Sequence, residues 1–508
     1  MQGVGRGAQG VGLPIRPPRS TRRRASIARL PLVERGLVAA VLVAAVGYAA
    51  FGLRVYRTLH ASAFDLAFFD QILWNTAHGR WFQTTYVGYN FLGQHFEPAL
   101  LLLALLYRLG AGPQTLIVLQ ALGAALAALP LYLAGRRLLP PASAALLAFA
   151  YLVSPTLQRG VDFGFHPDLF EPLAAFAALA ALLWRRDRLF LLCVGALLLL
   201  KEDAFLVALA LGWIALLRGR RRPGAMVISV SLAYGAVVLS LLMPALRHGA
   251  ASDLAERYGY LGSTPVRIGT GLILHPDRVL AHLAAPTPAL AVLVLLAAFA
   301  FLPLLAPELL VAALPAALVG LLSTHQQQRA LDLQYGAPVL TLVTVAALFG
   351  LARVHSFRKR FPGAGDGFQH RAADWRPSVA VAGCVLGAAI VAAYLRGPYP
   401  PERAAAGWRF ADGGAAAALA RVARLIPPSA SLSAQSGLAP HLSQRRTQWE
   451  FPRLLDADYV ILDDDGIRSS QSLLAGFDLT VASLPRLGYR LVASEGSIRL
   501  YQHAGGTR

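Results

Sequence analysis

Cysteine is nearly absent from this 508-residue chain: only Cys193 and Cys384 occur, both inside apolar runs. That excludes a disulfide framework and a thiolate metal cluster. Charge is scarce as well, since Asp, Glu, Lys and Arg make up 15% of the residues against 56% hydrophobic ones. An ordinary soluble protein is not that apolar. Acidic residues are the rarer sign, 27 against 47 Lys and Arg, for a formal net charge of +20. The excess does not point to nucleic acid, because the basic residues concentrate at the N-terminus and in short loops between apolar runs. No Gly-rich phosphate loop, serine elbow or paired-Cys motif is present, so use of a soluble nucleotide and acyl hydrolysis have no support. No internal repeat stands out, and no pair of broken apolar runs mirrors another, which weighs against inverted-repeat transporters.

What the chain does have is a series of apolar runs of roughly 12 to 22 residues, the longer ones able to cross about 30 Å of hydrocarbon at 1.5 Å per residue. About eleven crossings are expected, near 36–56, 113–134, 142–155, 169–184, 189–200, 204–217, 225–243, 289–305, 308–322, 336–353 and 377–395. The first run is longer than a signal-peptide core, so it reads as a retained span. Residues 1–32, rich in Arg, Gly and Pro, read as a basic disordered cytosolic tail. Placing that tail inside puts Arg136-Arg137, Arg185-Arg186, Arg218 to Arg222 and Arg358-Lys359-Arg360 inside too, as the bias of Lys and Arg toward cytoplasmic loops requires. The assignment holds only if the short run from Pro98 to Leu109 is an interfacial or re-entrant helix. Outer loops then fall at 57–112, 156–168, 244–286 and 323–335.

After residue 396 the composition changes. A helical patch at 414–425 and strand-like patches at Ser431–Ser433, Asp458–Leu462 and Tyr489–Tyr501 predict a small external α/β domain over 396–508. The expected fold class is an all-α polytopic membrane protein with a transmembrane domain over 33–395 and this C-terminal domain outside.

Ionisable residues beside membrane spans are costly unless hydrated, paired or used, which makes clusters of them candidate sites. The first outer loop carries Asp65, Asp70 and Gln71, then His95 and Glu97. Asp65 either acts chemically or caps a helix from Leu66 to Ala77. Asp70 lies five residues on, roughly 140° away around a helix, and either binds substrate or structures the loop. Gln71 and Trp74 could form a rim with it, although an interfacial Trp is more often a membrane anchor. His95 and Glu97 would share one face of an extended segment, and His166 and Asp168 repeat that spacing in the second outer loop. Imidazole with carboxylate favours Zn or Mn over Mg as a divalent ion, if any binds; hydrogen-bonding histidines are the stronger expectation. Lys201, Glu202 and Asp203 stand where one apolar run meets the next, either to neutralise a lipid phosphate or as a solvated hinge. Arg159 and Arg329 are further phosphate candidates. Gln327, within His325 to Arg329, and Tyr335 suit a sugar or pyrophosphate-type headgroup.

Several motifs occur together and in order: Phe-Asp-Leu-x-x-Phe-Asp-Gln from Phe64, Asn90-Phe91-Leu92-Gly93-x-His95-Phe96-x-Pro98, Phe165-His166-Pro167-Asp168, Lys201-Glu202-Asp203, the stretch from Gln327 to Pro338, and Ala439-Pro440-His441-Leu442-Ser443. Over most of its length the chain resembles a bacterial membrane family known as domain of unknown function 2079 (DUF2079). That family in turn resembles the C-type glycosyltransferase superfold (GT-C), multi-span enzymes that use polyprenyl-phosphate-linked sugars. The resemblance implies a multi-pass protein of the bacterial cytoplasmic membrane. Asp65, with Phe69 and Gly79 behind it, would be the base that activates an acceptor hydroxyl, and Asp70 the second candidate catalytic carboxylate. It also implies a lipid-linked sugar donor, a glycan, lipid or protein acceptor, and Lys201 against the lipid phosphate. A metal held by acidic pairs is known among relatives of the superfold; His166 beside Asp168 departs from that pattern. The rival readings are a transporter or flippase of lipid-linked or polysaccharide intermediates and a non-enzymatic envelope scaffold.

Overall fold

The computed structural model describes residues 31–250, 256–357, 377–399, 414–466 and 474–505. The basic tail expected over 1–32 and the Arg358-Lys359-Arg360 segment thus lie almost wholly outside the described residues. Helices form wherever the sequence is continuously apolar: Leu32–Arg57, Pro113–Leu126 with Ala128–Gly135, Pro141–Leu152, Glu171–Leu183, Asp187–Leu198, Ala204–Leu217, Arg221–Val237, Pro286–Ala298, Pro307–Leu321, Ala337–Phe357 and Pro377–Arg396. Proline starts several of them, at 113, 141, 286 and 307. Its fixed φ suits a first turn, and its missing N–H falls among donors that have no helical partner anyway.

Among the described residues, five helices are long and apolar enough to cross a bilayer: Leu32–Arg57, Pro113–Gly135, Arg221–Leu246, Gln326–Phe357 and Ser378–Arg396. Pro276–Leu283 and Pro286–Ala298 make a sixth if their 62° bend is a single broken span. The expectation of about eleven full crossings is not met on length. Pro141–Leu152, Ala204–Leu217 and Pro307–Leu321 are apolar, but 12 to 15 residues reach only roughly 18 to 22 Å at 1.5 Å per residue. Residues 276–283, expected in an outer loop, are helical. Leu100–Tyr107 is a helix of eight residues, far short of a crossing.

Small residues bring the helices together. A Cβ on Gly224 would stand 2.9 Å from the carbonyl oxygen of Gly212, so the hairpin of Ala204–Leu217 and Arg221–Val237 closes only because both positions lack side chains. Leu42, Val46, Leu241 and Val391 point outward, each more than half exposed, where hydrocarbon would cover them.

The C-terminal domain is a five-stranded mixed sheet of order β2-β1-β3-β5-β4, with β1 Leu432–Ala434, β2 Gln448–Glu450, β3 Tyr459–Asp463, β4 Tyr489–Glu495 and β5 Ile498–His503. β1 pairs in parallel with β2 and β3, while β5 pairs antiparallel with β3 and β4. The helix Ala415–Val422 and its 3-10 extension Ala423–Leu425 fall on the expected patch. β2 and the helix Leu474–Ser483 were not expected, since three residues of Gln-Trp-Glu carry no alternation signal.

This domain docks on residues 57–112 through one apolar core that includes Leu66, Phe69 and Ile72 on one side and Leu438, Ala439 and Leu442 on the other. At its centre is the fully buried Asp70. Tyr107 Oη donates to its Oδ1 at 2.7 Å, Ser443 Oγ to its Oδ2 at 2.7 Å, and Gln444 Nε2 to Oδ1 at 3.4 Å. Gln71 is buried alongside, accepting from Thr84 Oγ1 at 2.7 Å and donating to Thr85 Oγ1 at 3.0 Å. Burial lifts the Asp70 carboxyl to about 6 against the pull of its three donors. The folded protein therefore holds the Asp70 proton more tightly than the unfolded chain. Stability is greatest below the unfolded value near 4 and falls as pH rises through about 6, on the order of 3 kcal/mol. Asp70→Asn removes this dependence. Thermal unfolding of native and Asp70→Asn protein between pH 4 and 7 should give curves that diverge; parallel curves would refute the assignment.

Candidate functional site

Asp65 enters the site on a π-helical turn, Ala63–Ala67, that precedes the α-helix Phe68–Ala77. Such wide turns recur at functional sites because they re-aim a side chain out of the regular helical ladder. The helix expected from Leu66 starts earlier, with Ser62 as its N-cap residue. Asp65 accepts from Ser62 Oγ at 2.6 Å and from no backbone N–H, so it is not the cap. Its side chain is 14% exposed, in contact with His166 Nε2, 3.3 Å from Oδ1.

The second outer loop is shaped for that contact. Gly164 has φ +58°, and a Cβ there would stand 2.7 Å from the Cβ of Asp65; only glycine gives both the conformation and the clearance. Phe163 stacks on the His166 ring with centroids 5.6 Å apart, and Phe69 meets it edge-on at 5.7 Å. His166 Nδ1 lies 3.0 Å from the carbonyl of Phe163. A carbonyl only accepts, so the Nδ1 hydrogen is committed to it. The Nε2 to Oδ1 approach is then attractive only with one further proton, on imidazolium or on the carboxyl. The pair is a two-residue proton holder.

His166 and Asp168 do not share a ligand face. His166 is extended, but Pro167 begins a 3-10 turn, Pro167–Phe170, and the two-residue alternation of a strand ends there. His166 turns to Asp65, and Asp168 to Lys201 Nζ at 2.5 Å. No three His, Cys, Asp or Glu side chains among the described residues converge to hold a metal ion.

Lys201, Glu202 and Asp203 are not a solvated hinge. Lys201 and Glu202 are buried, and the triplet is surrounded by carboxylates from two other segments, Glu97 from one and Asp168 and Glu171 from the other. Glu202 accepts from His95 Nδ1 at 2.9 Å and from the backbone N–H of Phe96 at 3.0 Å. Burial opposes its charge, yet His95 and Lys201 outweigh that and hold it down at about 2. Burial lifts Asp203 to about 7, with Lys201 pulling it back. Glu97 is raised well above its usual range by burial, with Lys201 only partly offsetting this and Asp168 and Glu202 adding to it. Oxygens of Glu97, Asp168, Glu171 and Asp203 are buried with no hydrogen-bond partner among the described residues. A lipid phosphate brought to Lys201 would meet these carboxylates, so that expected role does not fit its surroundings.

Other candidates are committed elsewhere. Arg159 binds Asp332 through two nitrogens, Nη2 to Oδ2 at 2.5 Å. Gln71 belongs to the docking core, not to a rim, and Asp70 has both oxygens engaged there, out of reach of a substrate hydroxyl. Gln328 rather than Gln327 organises the fourth loop, accepting from Arg257 Nη1 and Ser323 Oγ, each at 2.9 Å. Tyr335 packs edge-on against His325 at 5.6 Å. Arg329 lines an open cleft of about 470 Å³ with Tyr260, Arg278 and His282. Arg278 and His282 were invisible in the sequence, since they lie in a stretch with no motif; Gly164 was legible only as a glycine between two phenylalanines.

The sequence profile of a family described as a predicted membrane protein (DUF2079) matches residues 55–495. No curated protein matches the chain. Among solved structures, the chain is similar to ArnT from Cupriavidus metallidurans bound to undecaprenyl phosphate, with a TM-score of 0.51 and 15% identity over 93% of this chain and 98% of that one. Similarity to the apo state of ArnT has a TM-score of 0.45 and 13% identity, over 92% and 98%. The oligosaccharyltransferase AglB from Archaeoglobus fulgidus, in complex with an inhibitory peptide and a dolichol-phosphate, gives 0.42 and 15%, over 94% and 75%. The first likeness shows a shared, GT-C-like fold.

Removing the cation from the buried cluster should be costly. Lys201→Met leaves Asp168 uncompensated and should lower stability by roughly 3 to 5 kcal/mol, read as a large fall in Tm in detergent. Adding Asp168→Leu should restore part of it, and a double variant no more stable than the single one would contradict the pairing.

Proposed function

The chain belongs to the DUF2079 family of membrane proteins, and from that premise we propose that it is a glycosyltransferase. It moves a sugar from a polyprenyl-phosphate-linked donor to a cell-envelope acceptor at the outer face of the bacterial cytoplasmic membrane, where its C-terminal domain also lies. The observation that carries this reading is the proton-holding pair of Asp65 and His166 on a GT-C-like fold.

The chemistry follows from those residues. The bond between the anomeric carbon and the lipid phosphate oxygen breaks, and the phosphate leaves with the electron pair. The acceptor oxygen forms the new glycosidic bond and loses its proton. Asp65 takes that proton, and His166 Nε2 shares it; with the Nδ1 hydrogen tied to Phe163, no other ring atom is available. A positioned base of this kind contributes roughly 10² to 10⁴ in rate. Charge developing on the phosphate is met by cations, and Arg329 with Arg278 at the open cleft supplies them where Lys201 cannot.

A transporter or flippase of lipid-linked intermediates has one observation in its favour, the buried carboxylates around Lys201, which suit proton or cation passage. The two readings separate in one experiment. Purified protein in lipid is given a panel of radiolabelled polyprenyl-phosphate sugars. Sugar transfer is expected, reduced at least a hundredfold by Asp65→Asn and by a smaller factor in His166→Asn. Donor left unconsumed while labelled lipid crosses the bilayer would sink the enzyme in favour of the transporter. Neither transfer nor movement, with the outer loops dispensable, would leave the scaffold.

A further inference from the structure

A second cleft, of about 520 Å³, opens between the first outer loop and the C-terminal sheet, lined chiefly by Gln83, Thr85, Tyr89, Asn90, His248 and Trp449. Its size falls within the roughly 300 to 1,000 Å³ of small-molecule sites. We propose that it binds a neutral carbohydrate and is the seat of the acceptor, which makes the acceptor a glycan; the second half of the statement rests on the glycosyltransferase reading.

The chemistry of the lining selects the ligand. No Asp, Glu, Lys or Arg lines the cleft, and its titratable side chains are His248 and Tyr89. A phosphate or a charged peptide would find no counter-charge there. Amides and hydroxyls are interleaved with Tyr89 and Trp449, whose rings offer apolar faces to the C–H surface of a sugar. Trp449 is 7% exposed, yet its indole N–H has no acceptor among the described residues, and the exposed Gln83 amide has no partner there either. Both are donors left for a ligand.

A ring contact and one step along the chain connect the cleft to the turn that carries Asp65. Phe64, next to Asp65 in the chain, meets the ring of Tyr86 at 6.4 Å, and the neighbours of Tyr86, Thr85 and Val87, line the cleft. A peptide acceptor would have a different opening, because β2 is an edge strand that an extended chain could join. Thr85 closes it: Thr85 Oγ1 donates to the Gln448 carbonyl at 2.5 Å and accepts from the Gln448 N–H at 3.0 Å.

Binding can be tested apart from turnover. Full-length protein in nanodiscs is titrated with maltotriose, cellotriose, chitotriose and an uncharged heptapeptide by saturation-transfer NMR, without donor. At least one oligosaccharide should bind, and the peptide should not. A Cβ on Gly88 meets nothing within 4 Å, so Gly88→Phe fills the cleft without disturbing the backbone, and Gln83→Ala removes one donor at the surface. Each should weaken oligosaccharide binding, Gly88→Phe at least tenfold, or about 1.4 kcal/mol, with Tm unchanged. No oligosaccharide bound, binding indifferent to Gly88→Phe, or peptide bound instead would overturn the proposal. Transfer to a non-carbohydrate acceptor that survives Gly88→Phe would overturn it and leave the glycosyltransferase standing. Oligosaccharide binding without any transfer in the donor assay would retain the cleft and remove the enzyme.

Discussion

The buried carboxyl of Asp70 is the constraint on which the joint between residues 57–112 and the C-terminal domain depends. It is held by a tyrosine from the same loop and by two residues of the C-terminal domain, and a buried carboxyl is tolerated only when its oxygens are satisfied. Docking supplies that satisfaction. It also braces the turn carrying Asp65, because Ser436 Oγ accepts from the N–H of Ala63 at 3.2 Å and His441 Nε2 donates to the carbonyl of Tyr56 at 2.9 Å. The glycan cleft exists only while the two surfaces stay together.

Asp65 and Asp70 show how environment divides labour between identical side chains. They are five residues apart, and the change from π to α turns sends one toward the second outer loop and the other into the docking core. Asp65 keeps a share of solvent and a histidine partner; Asp70 is sealed with three donors. Access differs accordingly: Asp65 stays partly open beside His166, whereas Asp70 is closed off by its three donors.

Lys201 illustrates the opposite pressure. An ammonium at the end of an apolar helix suggests a phosphate ligand, but Lys201 is surrounded by the carboxylates of Glu97, Asp168, Glu202 and Asp203. The cluster joins the first and second outer loops to a helix junction through His95, Glu202, Lys201 and Asp168. Buried ion pairs of this kind add little net stability but penalise every arrangement in which one partner is missing. Arg278 and Arg329 at the open cleft have no carboxylate partner among the described residues, each donating instead to a backbone carbonyl. A fold shared with ArnT at 15% identity says nothing about such assignments, since function resides in the site and not in the fold.

The sequence by itself determined most of the apolar helices, the membrane class, the α/β character of the C-terminal domain and the short helix before residue 113, because apolar run length and periodicity are local properties that neighbours in the chain express directly. It also marked Asp65, His95, His166 and Lys201 as residues that needed a reason. It did not determine their partners. Ser443 reaches Asp70 across 373 residues and His95 reaches Glu202 across 107, and no local pattern encodes a contact that depends on how distant segments pack. The number of full crossings also escaped it, since hydropathy marks an apolar run but not where proline and turns cut the helix short. The pairing of Asp65 with His166, the sealing of Asp70 and the cleft beside Trp449 were decided by tertiary structure alone, because each is made of groups that become neighbours only after the C-terminal domain has docked and the outer loops have closed on one another.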